Sequence, residues 1–372
     1  MSHMGAAPAT RSKKPRVTIS DLAEHLSLTK GTVSRALNDY PDIADGTRLR
    51  VRNAADRLGY RPLSHAQAIR TGRVRSIGLV FDVHEHDAHR PFLADFLAGL
   101  SASAAQRDWT LTVATAATED DTARLLSKLY EERKVDGFIL PRTYARDERV
   151  ATLRASGVPY VLFGRTEDTE NTALFDILGE DAMAEAVARL VGLGHKRIGF
   201  VPGRQGYMFT RLRYEGYKAG LAAAGLSFDP DLVAAPAVSR ADGQISARQM
   251  LDLAEPPTAI VYTVDQAALG AYASASELGL TIGQDVSVLS YDGIPEGSLM
   301  SPPLSTYRVD MREAGMRLGE LLIRVIQGEP AGELQEFAQA RFLERGSHGP
   351  CVCTPAELAK RVAESRFKGG TT

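Results

Sequence analysis

The spacing of hydrophobic positions changes once along this chain, near Ser76. Between residues 18 and 60, apolar residues recur at helical spacing in three short segments. A capping box begins at Thr18, Thr29 can cap the second segment, and Gly59 can end the third. We therefore predict three short helices that share a small core.

From Ser76 onward, short runs rich in Val, Ile and Phe alternate with stretches long enough to hold a helix. The runs are SIGLVF, TLTVATA, VDGFIL, VPYVLF, HKRIGFV, AIVYT and VSVLSYD. Such alternation predicts an α/β body in which parallel sheets are covered by helices on both faces. Because residues 76–163 and 195–292 each contain such a series, we expect two lobes. A ligand cleft should lie where the strand ends open.

Composition restricts the class of protein. The chain has 372 residues, 44% of them hydrophobic, which is enough for more than one domain with its own core. Its two cysteines, Cys351 and Cys353, provide no disulfide framework and favour a reducing cytoplasm. We find no apolar run of about 18 residues and no signal-peptide layout, so we expect a cytoplasmic protein without a membrane partner.

Charge is distributed unevenly along the chain. Residues 11–75 contain 14 Lys and Arg against 6 Asp and Glu, a net of +8, and the remainder carries a net of −10. A basic amino-terminal module on an acidic body suggests a polyanion partner for the first module only. A solvated, Lys- and Arg-rich tail is the alternative that charge alone leaves open.

The second predicted helix carries a polar stripe in the stretch TKGTVSRALND. Lys30, Ser34, Arg35 and Asn38 lie opposite its apolar face, and Gly31 removes a side chain from the same surface. Arg and Lys pair with guanine and Asn pairs with adenine in the major groove, so the stripe suits the second helix of a helix-turn-helix. An ordinary helix with a solvated polar face is the alternative.

The longer context decides between these interpretations. Three segments near the amino terminus are VTISDLAEHLSLTKGTVSRALN, RVRNAADRLGYRP and IRTGRVRSIGLV, and three in the body are GLGHKRIGFV, VDQAALGAYASASELGL and DVSVLSYDG. With these segments the chain resembles the lactose-repressor (LacI/GalR) family over about residues 17–347. The resemblance implies a nucleoid-associated homodimer that binds near-palindromic operator DNA and represses carbohydrate-utilisation genes until an inducer binds. A corepressor-dependent or activating regulator of the same family is the alternative.

The resemblance also implies individual contacts to DNA. Lys30, Gly31 and Arg35 fall at base-reading positions of the recognition helix, although Gly31 lacks a side chain, so shape or neighbouring residues would have to supply specificity there. Positions that usually contact phosphates hold Thr18, Thr32, Ser34, Asn38 and Tyr60. In the hinge helix, Ile69 replaces the usual leucine wedge for the minor groove, and Ala66 lets paired helices approach closely.

Effector contacts follow from the resemblance in the same way. Asp292 matches a hydroxyl-binding aspartate, Arg213 a ligand-clamping arginine, and Asp176 lies where the chain crosses between the lobes. The remaining candidates in the cleft are Arg90, Phe92, Val264 and Met311. Because Val264 stands where a polar residue is usual, we expect a carbohydrate with a less polar face. We find no aromatic platform beyond Phe92, which disfavours a nucleobase.

Domain boundaries and rival functions complete the expectations. We expect a leader or tag remnant at 1–16, a helix-turn-helix domain at 17–62, a hinge at 63–73, a two-lobed body at 74–347 and a flexible tail at 348–372. A solute-binding protein would need export. A metal-dependent hydrolase could use His84, His86 and His89 of HEHDAH, but its order departs from known patterns. No phosphate loop or nucleophile elbow occurs, so we predict neither enzymatic activity nor a cofactor.

Overall fold

The computed structural model describes residues 17–61, 72–82 and 91–369. The chain divides into two compact units, with the boundary between Val74 and Arg75. The described part of the first unit is helical, whereas the second unit alternates strands with helices. The predicted α/β class with a separate amino-terminal helical module is therefore confirmed.

The amino-terminal unit contains the three predicted helices. They are α1 (Ile19–Leu26), α2 (Lys30–Leu37) and α3 (Asp45–Leu58). Their contact surface is a small apolar core in which Leu22, Val33, Ala36 and Val51 are fully buried. Two or three buried side chains from each helix fill this core, as the helical spacing of the apolar residues predicts.

The ends of these helices are fixed by the predicted residues. Thr18 and Asp21 form a complete capping box at the start of α1. Thr29 Oγ1 accepts a hydrogen bond from the Thr32 amide at the start of α2. Gly59 follows α3 in the left-handed region, with φ 68°. Local sequence therefore determines where each helix of this unit begins or ends.

The second unit, the body, alternates strands and helices along the chain. Its strands are β1 (Ser76–Asp82), β2 (Thr110–Ala116), β3 (Gly137–Pro141), β4 (Tyr160–Phe163), β5 (Ala173–Ile177), β6 (Ile198–Val201), β7 (Ala259–Tyr262), β8 (Ser287–Asp292), β9 (Ser305–Arg308), β10 (Gln335–Ala338) and β11 (Arg341–Leu343). Its helices are α4 (Pro91–Ala105), α5 (Glu119–Glu131), α6 (Glu148–Ala155), α7 (Gly179–Gly192), α8 (Met208–Ala223), α9 (Arg240–Leu251), α10 (Asp265–Glu277), α11 (Met311–Gln327) and α12 (Pro355–Gly369).

The amino-terminal lobe of the body is built on a parallel sheet with the strand order β10-β5-β4-β3-β1-β2. All five residues of β3 are buried, as expected for an interior strand covered on both faces. Helix α11 packs against α4 and against β3 to β5. Its buried face includes Leu318, Leu321 and Leu322, spaced at i, i+3 and i+4.

The carboxy-terminal lobe has the strand order β11-β9-β8-β7-β6, and only β11 runs antiparallel to its neighbour. Helices α7 and α8 pack together, as do α9 and α10. Tyr217, Tyr262, Tyr291 and Tyr307 are among the largest fully buried side chains. The two predicted lobes, each with its own strand and helix series, are therefore present.

The chain passes between the two lobes at three places in the described residues. The passages are β5 to α7, β9 to α11, and β10 to β11. As a result, α11 and β10 complete the amino-terminal lobe although they follow β6 to β9 of the carboxy-terminal lobe in sequence. Each passage is short, spanning no more than a few residues between the two elements that it joins.

The segment after residue 347 differs from the expectation of a flexible tail. Helix α12 buries Leu358 and Val362 in the core of the carboxy-terminal lobe. Upstream, the Cys351 amide donates to the Leu193 carbonyl over 2.8 Å, and His195 Nε2 donates to the Gly349 carbonyl over 3.0 Å. The segment is therefore packed against the lobe by these apolar residues and hydrogen bonds.

Candidate functional site

Helix α2 presents the predicted base-reading residues on an exposed surface. Lys30, Gly31 and Arg35 are exposed, whereas Val33 and Ala36 are buried in the core of the unit. An added Cβ at Gly31 would meet only Thr29 Oγ1, at 3.7 Å. Packing within the unit therefore does not require glycine at position 31. A need for glycine at this position would have to come from a molecule that contacts the exposed face of α2.

Arg35 is engaged within the unit. Its Nη2 lies 2.5 Å from Asp42 Oδ2, and its guanidinium lies 5.2 Å from the centre of the Tyr40 ring. Both side chains of the ion pair are about half exposed, at 51% and 47%. An exposed pair of this kind contributes only about 0–1 kcal/mol, so Arg35 can leave Asp42 at small cost to contact a base.

Two of the predicted phosphate-contacting residues, Thr18 and Thr32, lie at the amino-terminal ends of α1 and α2. The Thr18 hydroxyl donates to Asp21 Oδ2 over 2.9 Å, and Thr32 Oγ1 lies 2.9 Å from Thr29 Oγ1. Free amides at helix amino termini favour anions, so both positions suit a phosphate. The sequence prediction for Thr18 and Thr32 is compatible with this arrangement and stays a prediction.

Ser34, Asn38 and Tyr60 occupy the other predicted phosphate positions. Asn38 Nδ2 donates to the Ser34 carbonyl over 2.7 Å, so this side chain contributes to the carboxy-terminal cap of α2. Tyr60 is partly buried against the small core. Ala66 and Ile69, the predicted hinge residues, lie outside the described residues.

The predicted cleft is present in the body, at the carboxyl ends of strands from both lobes. It has a volume of about 550 Å³. The ends of β3, β5 and β8 contribute Arg142, Asp176 and Asp292 to its walls, and α8 contributes Arg213. The structure thus brings together three of the four charged residues that sequence reasoning placed in the cleft, namely Asp176, Arg213 and Asp292. A parallel sheet opens at this edge, which explains the location.

Asp292 ends β8 with an uncommon backbone, φ 130°. Burial raises the pKa of its carboxyl to about 7, an effect that Arg213 opposes. Arg213 Nη1 donates to the Thr263 carbonyl over 2.9 Å, and the guanidinium lies 3.8 Å from the centre of the Tyr291 ring. Arg213 Nε is buried and has no hydrogen-bond partner among the described residues. Arg213 and Asp292 both line the cleft, so the two side chains can act on the same polar ligand.

Asp176 lies at the crossing from β5 to α7, as predicted. Its Oδ1 accepts from the Ile177 amide over 2.8 Å, and Arg165 Nε lies 3.2 Å from Oδ2 without a directed hydrogen bond. Burial raises the pKa of Asp176 to about 6, Arg165 lowers it, and nearby Glu180 raises it. Asp176 is therefore a second buried carboxyl group that can accept from ligand hydroxyls.

The apolar part of the cleft is richer in aromatic residues than predicted. Val264 and Met311 line it, as expected. The aromatic side chains on its walls are Phe81, Phe96, Phe163, Tyr207, Phe209 and Tyr291. The expectation of no aromatic platform beyond Phe92 is therefore wrong, because these residues come from separate strands and helices that only the fold brings together.

Several functional candidates were missed by sequence reasoning. Arg142, Arg204, Arg308 and Arg345 line the cleft, and nothing in their local sequence distinguishes them from surface arginines. A signal did exist for Asp265, which follows Val264 directly in the segment VDQAALG. Its side chain is fully buried and accepts hydrogen bonds from two amides of the loop after Asp292.

Other predicted features can be placed only in part. Arg90, the side chain of Phe92 and the HEHDAH loop at 84–89 lie outside the described residues. Within the described ranges, no group of three or more His, Cys, Asp or Glu side chains is arranged to hold a metal ion. No helix in the same ranges is long and apolar enough to cross a membrane.

Comparison with known proteins agrees with both units. Residues 18–63 match "Bacterial regulatory proteins, lacI family", and residues 187–348 match "Periplasmic binding protein-like domain". The HTH-type transcriptional regulator AglR of Rhizobium meliloti (strain 1021) is 35% identical over 343 residues, which cover 90% of this chain and 95% of that protein.

Solved structures are similar over nearly the same span. A transcriptional regulator CelR-cellobiose complex has a TM-score of 0.69 and 26% identity, covering 89% of this chain and 100% of that chain. The lac repressor dimer bound to operator and the anti-inducer ONPF has a TM-score of 0.74 and 25% identity, covering 90% and 100%. The chain therefore belongs to the LacI family of bacterial regulatory proteins, and it is a DNA-binding transcriptional regulator.

Proposed function

We propose that this regulator is a homodimeric repressor of a near-palindromic operator, released when a carbohydrate binds in the cleft of the body. The cleft itself carries the proposal. It combines Asp292, Asp176 and Arg213 with aromatic walls in about 550 Å³, a size typical of small-molecule sites. Carboxylates and arginine suit sugar hydroxyls, and aromatic rings suit the apolar face of a sugar ring.

Two similar structures support the ligand class and the assembly. One is described as a complex with cellobiose, and another as a repressor dimer bound to operator. A two-fold dimer places two α2 helices on half-sites related by the same symmetry. In this proposal Lys30 and Arg35 read bases, while Thr18, Thr32, Ser34, Asn38 and Tyr60 contact phosphates and set the register.

The first experiment identifies the operator and tests Arg35. A randomised DNA duplex library is selected on the full-length protein, and the enriched duplex serves as operator. Replacing Arg35 with alanine should weaken binding by about 1–3 kcal/mol and relax preference at one base pair. Arg107 provides the control, because it lies in the body and forms an ion pair with Glu320 at the surface. Arg107→Ala should therefore leave operator affinity unchanged. Equal affinities of wild type and R35A would contradict the assignment of α2.

The second experiment identifies the effector class. Calorimetry is run with glucose, galactose, maltose, cellobiose, lactose, melibiose and raffinose, and with adenosine and cytidine because aromatic walls also suit a base. We expect one saccharide to bind and to lose affinity when operator is present, since coupling between two sites is reciprocal. Tighter saccharide binding with operator would identify a corepressor instead. Binding of a nucleoside alone, or no change with operator, would refute the proposed release by carbohydrate.

A further inference from the structure

Three segments that line the cleft converge on one buried side chain in the carboxy-terminal lobe. Val264 and Gln266 follow β7, Asp292 ends β8, and Arg308 ends β9, and all four residues line the cleft. Asp265 lies between the first two of them at the start of α10, and it is fully buried rather than exposed to the cleft. It is therefore in a position to connect all three strand ends.

The hydrogen bonds of Asp265 make this connection. Oδ2 accepts from the Gly293 amide over 2.8 Å and from the Ile294 amide over 2.9 Å. Oδ1 accepts from the Thr306 hydroxyl over 2.7 Å. Burial raises the pKa of the Asp265 carboxyl, and the hydrogen bonds from Thr306, Ile294 and Gly293 oppose that rise. Because both amides can only donate and α10 begins at this residue, these contacts act in favour of the carboxylate. One carboxylate thus joins the loop after β8 to β9 and to α10.

The loop that Asp265 holds has a backbone that needs such support. Asp292 has φ 130° and Gly293 has φ 81°. A Cβ on Gly293 would lie 2.6 Å from Arg308 Cβ, so this turn passes close to β9 and tolerates only glycine there. Asp292, a non-glycine residue, costs free energy in this conformation and stays in it only when surrounding contacts fix it.

We propose that Asp265 is a positioning residue for effector recognition, which fixes the turn at residues 292–294 and so sets where the Asp292 carboxylate stands in the cleft. This inference rests on the proposed function, because it assigns Asp265 a part in the same ligand site. Asp265 itself contacts no ligand, since its oxygens are already bonded to the loop and to Thr306.

Four variants of the full-length protein test the proposal with the saccharide that binds from the panel, cellobiose being the first probe. D265A removes all three hydrogen bonds and should weaken saccharide binding at least about tenfold, and T306V removes one and should weaken it about threefold. D265N can keep the geometry if the Thr306 hydroxyl turns to accept, so it should bind within about threefold of wild type.

T258V is the matched control. Thr258 is buried in the same lobe and its hydroxyl donates to His195 Nδ1 over 2.9 Å, away from the residues that line the cleft. The same loss of one buried hydroxyl should leave saccharide affinity within about twofold of wild type. If D265A fails to fold, T306V compared with T258V decides the question alone.

Two further measurements separate positioning from general stability. In ligand-free protein, hydrogen exchange of the Gly293 and Ile294 amides should accelerate in D265A and T306V but not in T258V. In D265N, the pH midpoint for saccharide binding should move to lower pH, because one negative charge near Asp292 is lost. Arg213 and Arg142, which also act on the Asp292 carboxyl, are unchanged in this variant. The same holds for the other charged residues of the cleft wall, which include Asp176, Arg308, Asp310 and Arg345.

Failure of this inference and of the proposed function give different results. Unchanged amide exchange in D265A and T306V, or equal affinity losses in T306V and T258V, would overturn the role of Asp265. If the exchange results follow expectation but wild type binds no saccharide, the proposed ligand class is wrong while the positioning of the 292–294 turn stands.

Discussion

Replacing Asp292 with asparagine should stabilise the body at pH 8, and the gain should shrink as the pH falls. Burial raises the pKa of the Asp292 carboxyl from its ordinary 3.8 to about 7. At any pH between these two pKa values, Asp292 is protonated in the native state and ionised in the unfolded state. Wild type therefore loses stability as the pH rises from about 4 to about 7. Asparagine has no charge to bury and avoids that loss.

The size of the effect follows from the shift of about three pKa units. Each unit corresponds to about 1.4 kcal/mol, so D292N should be more stable than wild type by about 4 kcal/mol at pH 8. The difference should fall to about 3 kcal/mol at pH 6 and to about 1.5 kcal/mol at pH 5. Comparing variant with wild type at each pH cancels the titration of groups that do not interact with Asp292.

The assay is urea unfolding at pH 5, 6, 7 and 8. Trp109, the single tryptophan of the chain, is buried in the amino-terminal lobe and reports by fluorescence, with circular dichroism as a second probe. Asp95→Asn is the control, since Asp95 lines the same cleft but is exposed. A stability difference of D292N that stays constant between pH 5 and pH 8, or an equal pH dependence in D95N, would refute the reasoning.

Three further predictions concern binding. Because sugar hydroxyls donate to a charged Asp292, the saccharide should bind about tenfold more tightly at pH 8 than at pH 6, and calorimetry of D292N should show most of this dependence lost. Asp42→Ala removes the ion-pair partner of Arg35 and should tighten operator binding about 1.5- to fivefold in a gel-shift titration. Unchanged affinity would show that the Arg35–Asp42 ion pair does not compete with a contact of Arg35 to DNA. Gly31→Ala should raise the stability of the amino-terminal unit by up to about 1 kcal/mol in thermal unfolding, because alanine favours the helix and its methyl group has room. The same substitution should weaken operator binding if α2 approaches DNA closely at this position.

Local sequence was most informative where local contacts determine structure. The helix caps at Thr18 and Thr29 and the helix end at Gly59 were predicted, because each depends on contacts with residues only a few positions away in sequence. The seven-residue edge strand β2 was also predicted with correct bounds, because its apolar and β-branched residues form one continuous run. The short strands β10 and β11 were missed, since three or four residues carry too little periodicity to be recognised.

The cleft shows the limit of the same reasoning. Family resemblance placed Asp176, Arg213 and Asp292 on its walls, but their roles toward a ligand stay predictions. Its aromatic walls could not be predicted, because Phe163 and Phe209 come from different lobes and meet only in the folded chain. Likewise, the ion pair between Arg35 and Asp42 depends on a turn whose direction the residues alone do not reveal.

The three passages of the chain between the lobes have a consequence for protein engineering. A gene fragment that ends at residue 178 encodes β1 to β5 but lacks α11 and β10, which complete the same lobe. Such a fragment would leave the apolar surface of α4 uncovered, so neither lobe can be expressed alone or exchanged by a single cut. A chimaera that transplants the effector specificity of one lobe into a relative needs three junctions, one in each passage.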